Sequence, residues 1–303
     1  MPKLHDDEVF VDAELVRTLL RAQCPGWSDL PLRECGSGTD NTMYRLGENL
    51  LVRLPKTPGA ARSVVKEQTW LPLIARHLDC AVPEPLHAGT ATLAYPQAWS
   101  IYRWIDGVEA GPASVTDWST FGTDLARSVR QLHEIDVPDL SGVDDLTWYR
   151  GGTLQDCADA MPPAFERCNG LVDQNVGIPA LEHLWRDALS LPEPSAPAVW
   201  LHGDLKPSNL LVRDGRLHAM IDFGCLSVGY PDAEHATVWD LPSAARESYW
   251  HDSEITEPTW LRARAWAILV AVSGISYYWD TFPEFVAECL ARLDHITSDS
   301  LTR

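Results

Sequence analysis

The sequence predicts an α+β protein with two lobes, a small β-rich lobe over residues 1–104 and a larger, mainly helical lobe over residues 105–303. The first observation is length, because 303 residues exceed what one small core needs and suit two packed lobes. The second is that short apolar runs bounded by turn residues, which are typical of strands, fall mainly in the first third of the chain. The third is that apolar residues at helical spacing prevail in the rest.

The composition argues against a nucleic-acid partner. Hydrophobic residues make up 45% and charged residues 22% of the chain, as in soluble globular proteins. The 24 basic and 43 acidic residues give a net charge of −19, whereas a surface that binds nucleic acid would be basic. The acidic balance serves solubility, and it is also compatible with a cationic substrate.

Cysteine usage and hydropathy predict a cytoplasmic protein without a membrane partner. The seven cysteines are scattered without Cys-x-x-Cys spacing, so we expect reduced thiols. The N-terminal residues are acidic and lack the apolar core of a signal peptide. The most apolar helical run, Ala265–Tyr278, is shorter than the roughly 20 residues that span a membrane, and we expect a buried helix there.

The first lobe begins with an amphipathic helix within residues 8–23, for which Asp12 is the candidate N-cap. Two strands, Leu32–Cys35 and Met43–Leu46, then flank a loop of small residues. Glycines in such a loop let backbone N–H groups approach an anion, so the loop is either a phosphate cradle or a plain hairpin turn. A further strand, Leu50–Leu54, follows the loop.

A helix and a strand complete the first lobe. Residues 60–78 have helical periodicity, which Pro72 is expected to break or kink. Residues 99–105 form a run of β-branched and aromatic residues that ends at Asp106 and Gly107. We interpret this run as the last strand of the lobe and the hinge to the next one.

The second lobe contains one confident helix before an irregular region. Apolar residues spaced for a helix follow Thr116 and continue to about Asp136. Residues 137–198 are interrupted by prolines, and they are either part of a substrate pocket or a helical packing element. The aromatic and acidic residues of this region that bear on the choice are Asp144, Asp145, Trp148, Tyr149 and Asp156. Two more helices are predicted over 258–280 and 283–294.

The stretch from Val199 to Gly224 is the most informative in the chain. Two apolar runs flank Asp214-Gly215, and this pair predicts a two-residue type I′ hairpin turn, because both of its central residues need positive φ. The hairpin carries one polar loop on each side. The first loop contains His202, Asp204 and Asn209, and the second contains Asp222, Phe223 and Gly224.

These residue types suit phosphoryl transfer. A hydroxyl that attacks a phosphate needs a carboxylate to orient it and accept its proton, and Asp204 is the candidate. Mg²⁺ prefers hard oxygen ligands, which Asn209 and Asp222 offer. The order of the three residues matches the order of roles in protein kinases, in which the catalytic loop precedes Asp-Phe-Gly.

The pattern His-Gly-Asp-Leu-x-x-x-Asn followed by Ile-Asp-Phe-Gly resembles the aminoglycoside phosphotransferase family, which comprises antibiotic kinases with a protein-kinase-like fold. Gly203, where protein kinases have Arg, is typical of that family. The resemblance implies a bilobal protein-kinase-like fold. It also implies ATP- or GTP-dependent phosphorylation of a small-molecule hydroxyl, with Mg²⁺. Tyr230 and Glu234 depart from it, because the family usually has Asp at both positions.

The resemblance assigns roles to individual residues. On the catalytic side, Asp204 is the base, His202 braces the loop, and Asn209 and Asp222 hold Mg²⁺. Arg53 takes the place of the phosphate-binding lysine, with Lys56 and Lys66 as alternatives, and Glu67 pairs with Arg53. The phosphate loop and the backbone that binds adenine comprise Ser37, Gly38, Thr39 and Asn41, and Arg103, Trp104 and Ile105.

The acceptor stays open at this stage. An antibiotic of the aminoglycoside, macrolide or nucleoside type would make the protein a resistance enzyme. A metabolite kinase, acting on an amino alcohol, a sugar or a homoserine-like compound, is the alternative. A catalytically silent binding module of kinase fold is a third possibility, against which the intact Asp204, Asn209 and Asp222 argue.

Overall fold

The computed structural model describes residues 8–37, 40–140, 143 and 145–298. The chain forms two compact units. The first runs to Gly107 and includes Ala219–Leu226, and the second comprises the rest. The predicted division at residue 104 places Ala219–Leu226 in the second lobe. In the structure this segment belongs to the first unit, where the Met220 amide donates to the Ala81 carbonyl at 3.0 Å.

The first unit is a five-stranded antiparallel sheet with two helices, in the strand order β1-β2-β3-β5-β4. Its elements are α1 (Ala13–Gln23), β1 (Leu32–Ser37), β2 (Asn41–Leu46), β3 (Leu50–Pro55), α2 (Pro58–Ile74), β4 (Pro85–Gly89) and β5 (Trp99–Arg103). The predicted N-cap of α1 is confirmed, because Asp12 Oδ1 accepts from the Leu15 amide at 2.8 Å. Pro72 lies inside the last turn of α2, which ends two residues later.

The core of the first unit lies between α1 and the sheet. One face of α1 buries Val16, Leu19 and Leu20 completely or almost completely. These side chains belong to the same cluster as Val52 on β3 and Ile101 on β5. Successive residues of a strand point to opposite faces of the sheet, so the strand neighbours of Val52 and Ile101 point to the other face. That face carries the polar side chains described below.

The second unit is mainly helical, which confirms the predicted α+β class. Its elements are β6 (Val108–Glu109), α3 (Trp118–His133), α4 (Met161–Leu171), α5 (Ile178–Leu189), β7 (Val199–Leu201), β8 (Leu210–Arg213), β9 (Arg216–Met220), β10 (Ser227–Gly229), α6 (Ser243–Ser253), α7 (Glu257–Tyr278) and α8 (Pro283–Ser298). Strands form two small sheets, β6-β8-β9 and β10-β7. The chain crosses into the first unit within β9.

Helix α7 is the buried helix that the apolar run predicts. It packs against α4, α5 and α8, and most residues of its central turns are buried. Nowhere in the described part of the chain is there a helix with the length and apolar character needed to cross a membrane.

The predicted turn between β8 and β9 is confirmed. Asp214 has φ +53° and Gly215 has φ +79°, so both residues adopt the left-handed conformation of a type I′ turn. A Cβ at Gly215 would lie 2.3 Å from Thr116 Oγ1, which adds a steric reason for glycine. The turn fixes the relative register of the two strands that lead to the polar loops.

The irregular region before β7 contains short 3-10 turns in addition to α4 and α5. One 3-10 helix, Leu154–Ala160, begins at a capping box in which Asp156 Oδ2 accepts from the Thr153 amide at 2.7 Å. Asp156 therefore has a local structural contact, as the packing interpretation expects. Asp144 lies outside the described residues.

We expect Gly122→Ala to destabilise the protein and Gly170→Ala to leave it as stable or slightly more stable. A Cβ at Gly122 in α3 would lie 2.2 Å from the Ala245 carbonyl oxygen in α6, so the two helices would have to separate, at about 1–3 kcal/mol. Gly170 in α4 has open space around its Cα, and Ala is the better helix former by up to about 1 kcal/mol. Urea unfolding of both variants tests this; equal stabilities would contradict it.

Candidate functional site

In the second unit, the first polar loop connects β7 to β8. Its side chains form hydrogen bonds with backbone groups of the same loop. Gly203 has φ +81°, a conformation that glycine adopts without steric cost. His202 is fully buried, and its Nδ1 accepts from the Asp204 amide at 3.3 Å. Asn209 is also buried and donates through Nδ2 to the Asp204 carbonyl at 2.8 Å. The loop thus places His202 and Asn209 around Asp204.

The Asp204 carboxylate has two cationic partners. Arg150 Nη1 donates to its Oδ1 at 2.8 Å and to the Gly203 carbonyl at 2.9 Å. Lys206 Nζ lies 3.8 Å from Oδ2. The side chain of Asp204 is 29% exposed, so the carboxylate is oriented by the protein and still reachable by a ligand.

Glu234, one of the two departures from the family pattern, contacts the same loop. Its Oε2 accepts from the Gly203 amide at 3.1 Å. Its Oε1 is buried, and the His202 amide, like that of Gly203, favours the ionised carboxylate. Burial raises the pKa of Glu234 to about 7, although the Gly203 amide and the charge of Arg150 act in the opposite direction.

We expect Glu234 to make stability fall with rising pH. Its pKa in the fold, about 7, lies above the ordinary value of 4.5, so the folded protein keeps a proton that the unfolded chain releases. The stabilisation is complete below the ordinary value and is lost as pH rises through about 7, at up to about 1.4 kcal/mol per pH unit. Urea unfolding at pH 5, 6, 7 and 8 should show this slope in the difference between the wild type and Glu234→Gln, because the opposite contributions of His133 and His235, whose pKa values burial lowers, cancel in that difference. The exposed control Glu247→Gln should follow the wild type. A constant difference between wild type and Glu234→Gln would contradict the assignment.

A cavity that opens to solvent lies beside Asp204 in the second unit. Besides Asp204 and its partners Arg150 and Lys206, the lining includes Glu234 and Trp266. Asp240 and Arg292 also line it, and they form a buried bidentate pair at 2.6 and 2.7 Å.

In the first unit, Arg53 organises a buried polar cluster. Its Nη1 donates to both oxygens of Glu67 at 2.8 and 2.9 Å, so the predicted ion pair is formed. Its Nη2 donates to Asp222 Oδ1 at 2.6 Å. Tyr102 donates to Glu67 Oε2 at 2.5 Å. Burial would lower the pKa of Arg53, but the Glu67 and Asp222 carboxylates outweigh burial and hold that pKa above its usual range.

The predicted phosphate loop is described only in part. Gly38 and Thr39 lie outside the described residues, and Ser37 is described as the last residue of β1 by its backbone alone. Asn41 is buried, and its amide oxygen, when turned toward Arg53, accepts from Nη2 at 3.0 Å and from Nε at 3.1 Å. Asn41 therefore belongs to the Arg53 cluster, and its role toward phosphate stays a prediction.

The two lysines named as alternatives to Arg53 lie on either side of the α2 N-terminus. Lys66 is a buried residue of α2, and the backbone amide of Lys56 donates to the Asp40 carbonyl at 2.7 Å. The cationic partner of Glu67 is Arg53, whose Nη1 lies 2.8 Å from Oε1. The geometry therefore favours Arg53 as the counterpart of the kinase lysine.

The backbone predicted to bind adenine follows β5. The Arg103 amide donates to the Glu84 carbonyl at 2.9 Å, and the Trp104 amide donates to the Asn49 carbonyl at 2.8 Å. These two N–H groups are used within the unit. The predicted hydrogen bonds to adenine therefore depend on the backbone of Ile105 and on the carbonyl groups of residues 103–105.

Asp222 begins the second polar loop in an uncommon backbone conformation. Its φ of +63° and ψ of +64° are left-handed, which Asp tolerates better than most residues. The side chain is 49% exposed, whereas the following Phe223 is fully buried. The buried aromatic ring anchors the loop and leaves the Asp222 carboxylate near the surface of the first unit.

Sequence reasoning missed several residues that complete these clusters. Arg150, which contacts Asp204, comes from the irregular region and carries no motif. Asp240 and Arg292 are far apart in sequence, and neither has a local signal. Tyr102 lies in the predicted last strand of the first lobe, but nothing in the sequence indicates its bond to Glu67.

The comparisons with known proteins agree with this architecture. Residues 31–266, more than half of the chain, match the model of a family described as "Phosphotransferase enzyme family" (APH). No curated protein matches the sequence.

Among solved structures, the GDP and kanamycin complex of APH(2'')-IIIa is similar, with 20% identity, 94% of this chain and 99% of that chain covered, and a TM-score of 0.71. The GDP complex of wild-type aminoglycoside 2'-phosphotransferase-IIIa has 18% identity, 94% and 98% coverage, and a TM-score of 0.74. Macrolide 2'-phosphotransferase from Brachybacterium faecium, as apoenzyme, has 21% identity, 95% and 99% coverage, and a TM-score of 0.62. At these identities the likeness shows a shared fold.

Proposed function

Because the chain belongs to the phosphotransferase enzyme family, we propose that it transfers the γ-phosphoryl group of ATP or GTP to a hydroxyl group of a small molecule, with Mg²⁺ as cofactor. The observation that carries the proposal is the setting of Asp204. Its carboxylate is held by Arg150, is partly exposed and borders a cavity that opens to solvent. In such a position a carboxylate orients the acceptor hydroxyl and accepts its proton.

The residues assigned to Mg²⁺ are chemically suitable. Asp222 offers a half-exposed carboxylate. Asn209 uses its amide nitrogen for the Asp204 carbonyl, so the amide oxygen is the atom available to a metal. Both donors are hard oxygens, as Mg²⁺ prefers, and in kinases the remaining ligands come from water and phosphate. When bound, Mg²⁺ neutralises charge on the phosphates.

On the nucleotide side, we assign the phosphates to Arg53 and to the loop that contains Ser37, Gly38, Thr39 and Asn41. Because Arg53 already donates to Glu67, Asp222 and Asn41, a phosphate oxygen has to replace or share one of these partners. Asp222 is the most exposed of the three and the easiest to exchange. Adenine or guanine is assigned to the backbone of residues 103–105.

For the acceptor, we propose an antibiotic, which would make the protein a resistance enzyme of the cytoplasm. Support comes from the solved structures of the same fold, whose names include aminoglycoside and macrolide phosphotransferases. Cys24, Cys168 and Cys289 are buried free thiols, which is compatible with a reducing compartment. A metabolite acceptor, such as an amino alcohol or a sugar, is the alternative.

The test is a coupled assay of nucleoside-diphosphate release with ATP or GTP and Mg²⁺, run with aminoglycosides, macrolides, nucleoside antibiotics, amino alcohols and sugars. We expect acceptor-dependent release that EDTA abolishes, and a phosphorylated acceptor in the mass spectrum. Turnover with a metabolite alone would overturn the antibiotic acceptor and keep the kinase. No release with or without any acceptor would contradict the kinase itself.

A further inference from the structure

Part of the irregular region is attached to the same small sheet as the first polar loop. β7 leads directly into this loop and pairs with β10 in the second unit. On β10, the Val228 amide donates to the Leu146 carbonyl at 2.9 Å, and the Tyr230 amide donates to the Gly151 carbonyl at 2.9 Å. Because both ends of the segment 146–151 are bonded to β10, its backbone has a fixed position relative to the loop.

Two glycines allow this segment to approach β10 closely. A Cβ at Gly229 on β10 would lie 2.3 Å from the Gly151 carbonyl oxygen and 2.4 Å from the Gly151 Cα. At these distances the two backbones are in direct contact, and only glycine fits at position 229. Arg150 precedes Gly151 in the chain, so this contact also sets the position from which the Arg150 side chain extends toward the loop.

The Arg150 guanidinium holds one oxygen of the Asp204 carboxylate. Its Nη1 donates to Asp204 Oδ1 at 2.8 Å and to the Gly203 carbonyl at 2.9 Å, so a single nitrogen links the carboxylate to the backbone of the preceding residue. Its Nε donates to the Tyr149 hydroxyl at 3.0 Å, which orients the guanidinium. Charge-assisted hydrogen bonds of this length are the strong ones, so they restrict rotation of the carboxylate.

The other oxygen of the Asp204 carboxylate is held less tightly. Within the described part of the chain, Asn209 Nδ2 lies 3.5 Å and Lys206 Nζ lies 3.8 Å from Asp204 Oδ2. Both distances are longer than that of a well-formed hydrogen bond. The two oxygens therefore differ, because Oδ1 is fixed by Arg150 while Oδ2 is able to accept a hydrogen bond from a ligand.

We propose, on the basis of the proposed function, that Arg150 is a positioning residue that fixes Asp204 Oδ1 and thereby directs Asp204 Oδ2 at the acceptor hydroxyl. In the transfer step the acceptor oxygen forms a bond to the γ-phosphorus, the bond between that phosphorus and the β,γ-bridging oxygen breaks, and the hydroxyl proton passes to Oδ2. Phosphoryl transfer depends mainly on positioning, so a base displaced by about 1 Å is expected to lower the rate about 10²-fold. The segment 146–151 thus acts on the catalytic loop.

Steady-state kinetics with the acceptor found by the coupled assay tests the inference. Arg150→Met should lower kcat about 10²-fold and keep the KM values of nucleotide and acceptor within about 3-fold, because it changes the orientation of Asp204 and not substrate binding. Arg167→Met, at an exposed position of α4, should keep the wild-type kcat. In the Asp204→Asn background, Arg150→Met should lower kcat by less than about 3-fold, since no carboxylate is left to position. Equal losses in both backgrounds, as a merely structural role would give, or an unchanged kcat in Arg150→Met would overturn the inference.

Crystal structures of the wild type and of Arg150→Met give a second readout that needs no turnover. We expect the Asp204 carboxylate to leave its wild-type orientation in the variant, while the Gly203 backbone stays in place and the urea midpoint stays near that of Arg167→Met. An Asp204 carboxylate in the wild-type orientation would overturn the inference. Failure of the proposed function is distinguishable, because the wild type would then transfer phosphate to no acceptor, whereas the crystal structures would still show whether Arg150 positions Asp204.

Discussion

Asp204→Asn is expected to reduce phosphoryl transfer at least about 10³-fold while the protein stays folded. Asn has the shape of Asp, and its amide oxygen still accepts from Arg150 Nη1, which is 2.8 Å from the present carboxylate. The bond from the residue 204 amide to His202 and the bond from Asn209 to the residue 204 carbonyl both stay, and of the Asn209 contacts only the long one to Oδ2, at 3.5 Å, involves the carboxylate. What the substitution removes is the negative charge that accepts the proton of the acceptor hydroxyl.

The measurements are kcat by the coupled assay, nucleotide affinity by calorimetry and stability by urea unfolding. Nucleotide affinity and stability should stay near the wild-type values, because the change is isosteric and partly exposed. Asp294→Asn is the matched control, since Asp294 is an exposed residue of α8 away from the cavity lining. Turnover of Asp204→Asn within a few-fold of the control would contradict the assignment of Asp204 as the base.

The parts of the fold that follow local rules could be predicted from the sequence. Asp12 caps α1, and Asp214 and Gly215 form the type I′ turn, because a capping side chain and a pair of positive φ values are properties of a few neighbouring residues. The Arg53–Glu67 pair was predictable through the family resemblance, which carries long-range information that the local pattern lacks.

The contacts that complete the site were not predictable in this way. Arg150 and Asp204 are 54 residues apart, and Asp240 and Arg292 are 52 apart. Their meeting depends on how the helices pack, and an arginine or aspartate on a solvent-exposed surface looks the same in a sequence. The charge distribution around Asp204 is therefore a property of tertiary structure, which the overall charge of the chain does not reveal.

Arg53→Met is expected to destabilise the protein by about 3–5 kcal/mol, because it leaves the Glu67 carboxylate buried without its cation. Arg53 is 8% exposed and Glu67 is fully buried, so solvent cannot take the place of the missing partner. Tyr102 alone would remain as a donor to Glu67. Urea unfolding measures the loss, and the exposed pair of Arg103 and Glu84 provides the control: Arg103→Met should cost far less.

The double variant Arg53→Met/Glu67→Met distinguishes two causes of lost stability: removal of the ion pair, and burial of the Glu67 carboxylate without a cationic partner. If burial of an unpaired carboxylate is the cause, removing both charges should recover most of the stability lost in Arg53→Met, because apolar residues of similar size often replace a buried ion pair at little cost. Nucleotide affinity should stay low in both variants, since neither has a cation for the phosphates. Equal losses for Arg53→Met and Arg103→Met would contradict the structural role of the pair, and recovered affinity in the double variant would contradict the assignment of Arg53 to the phosphates.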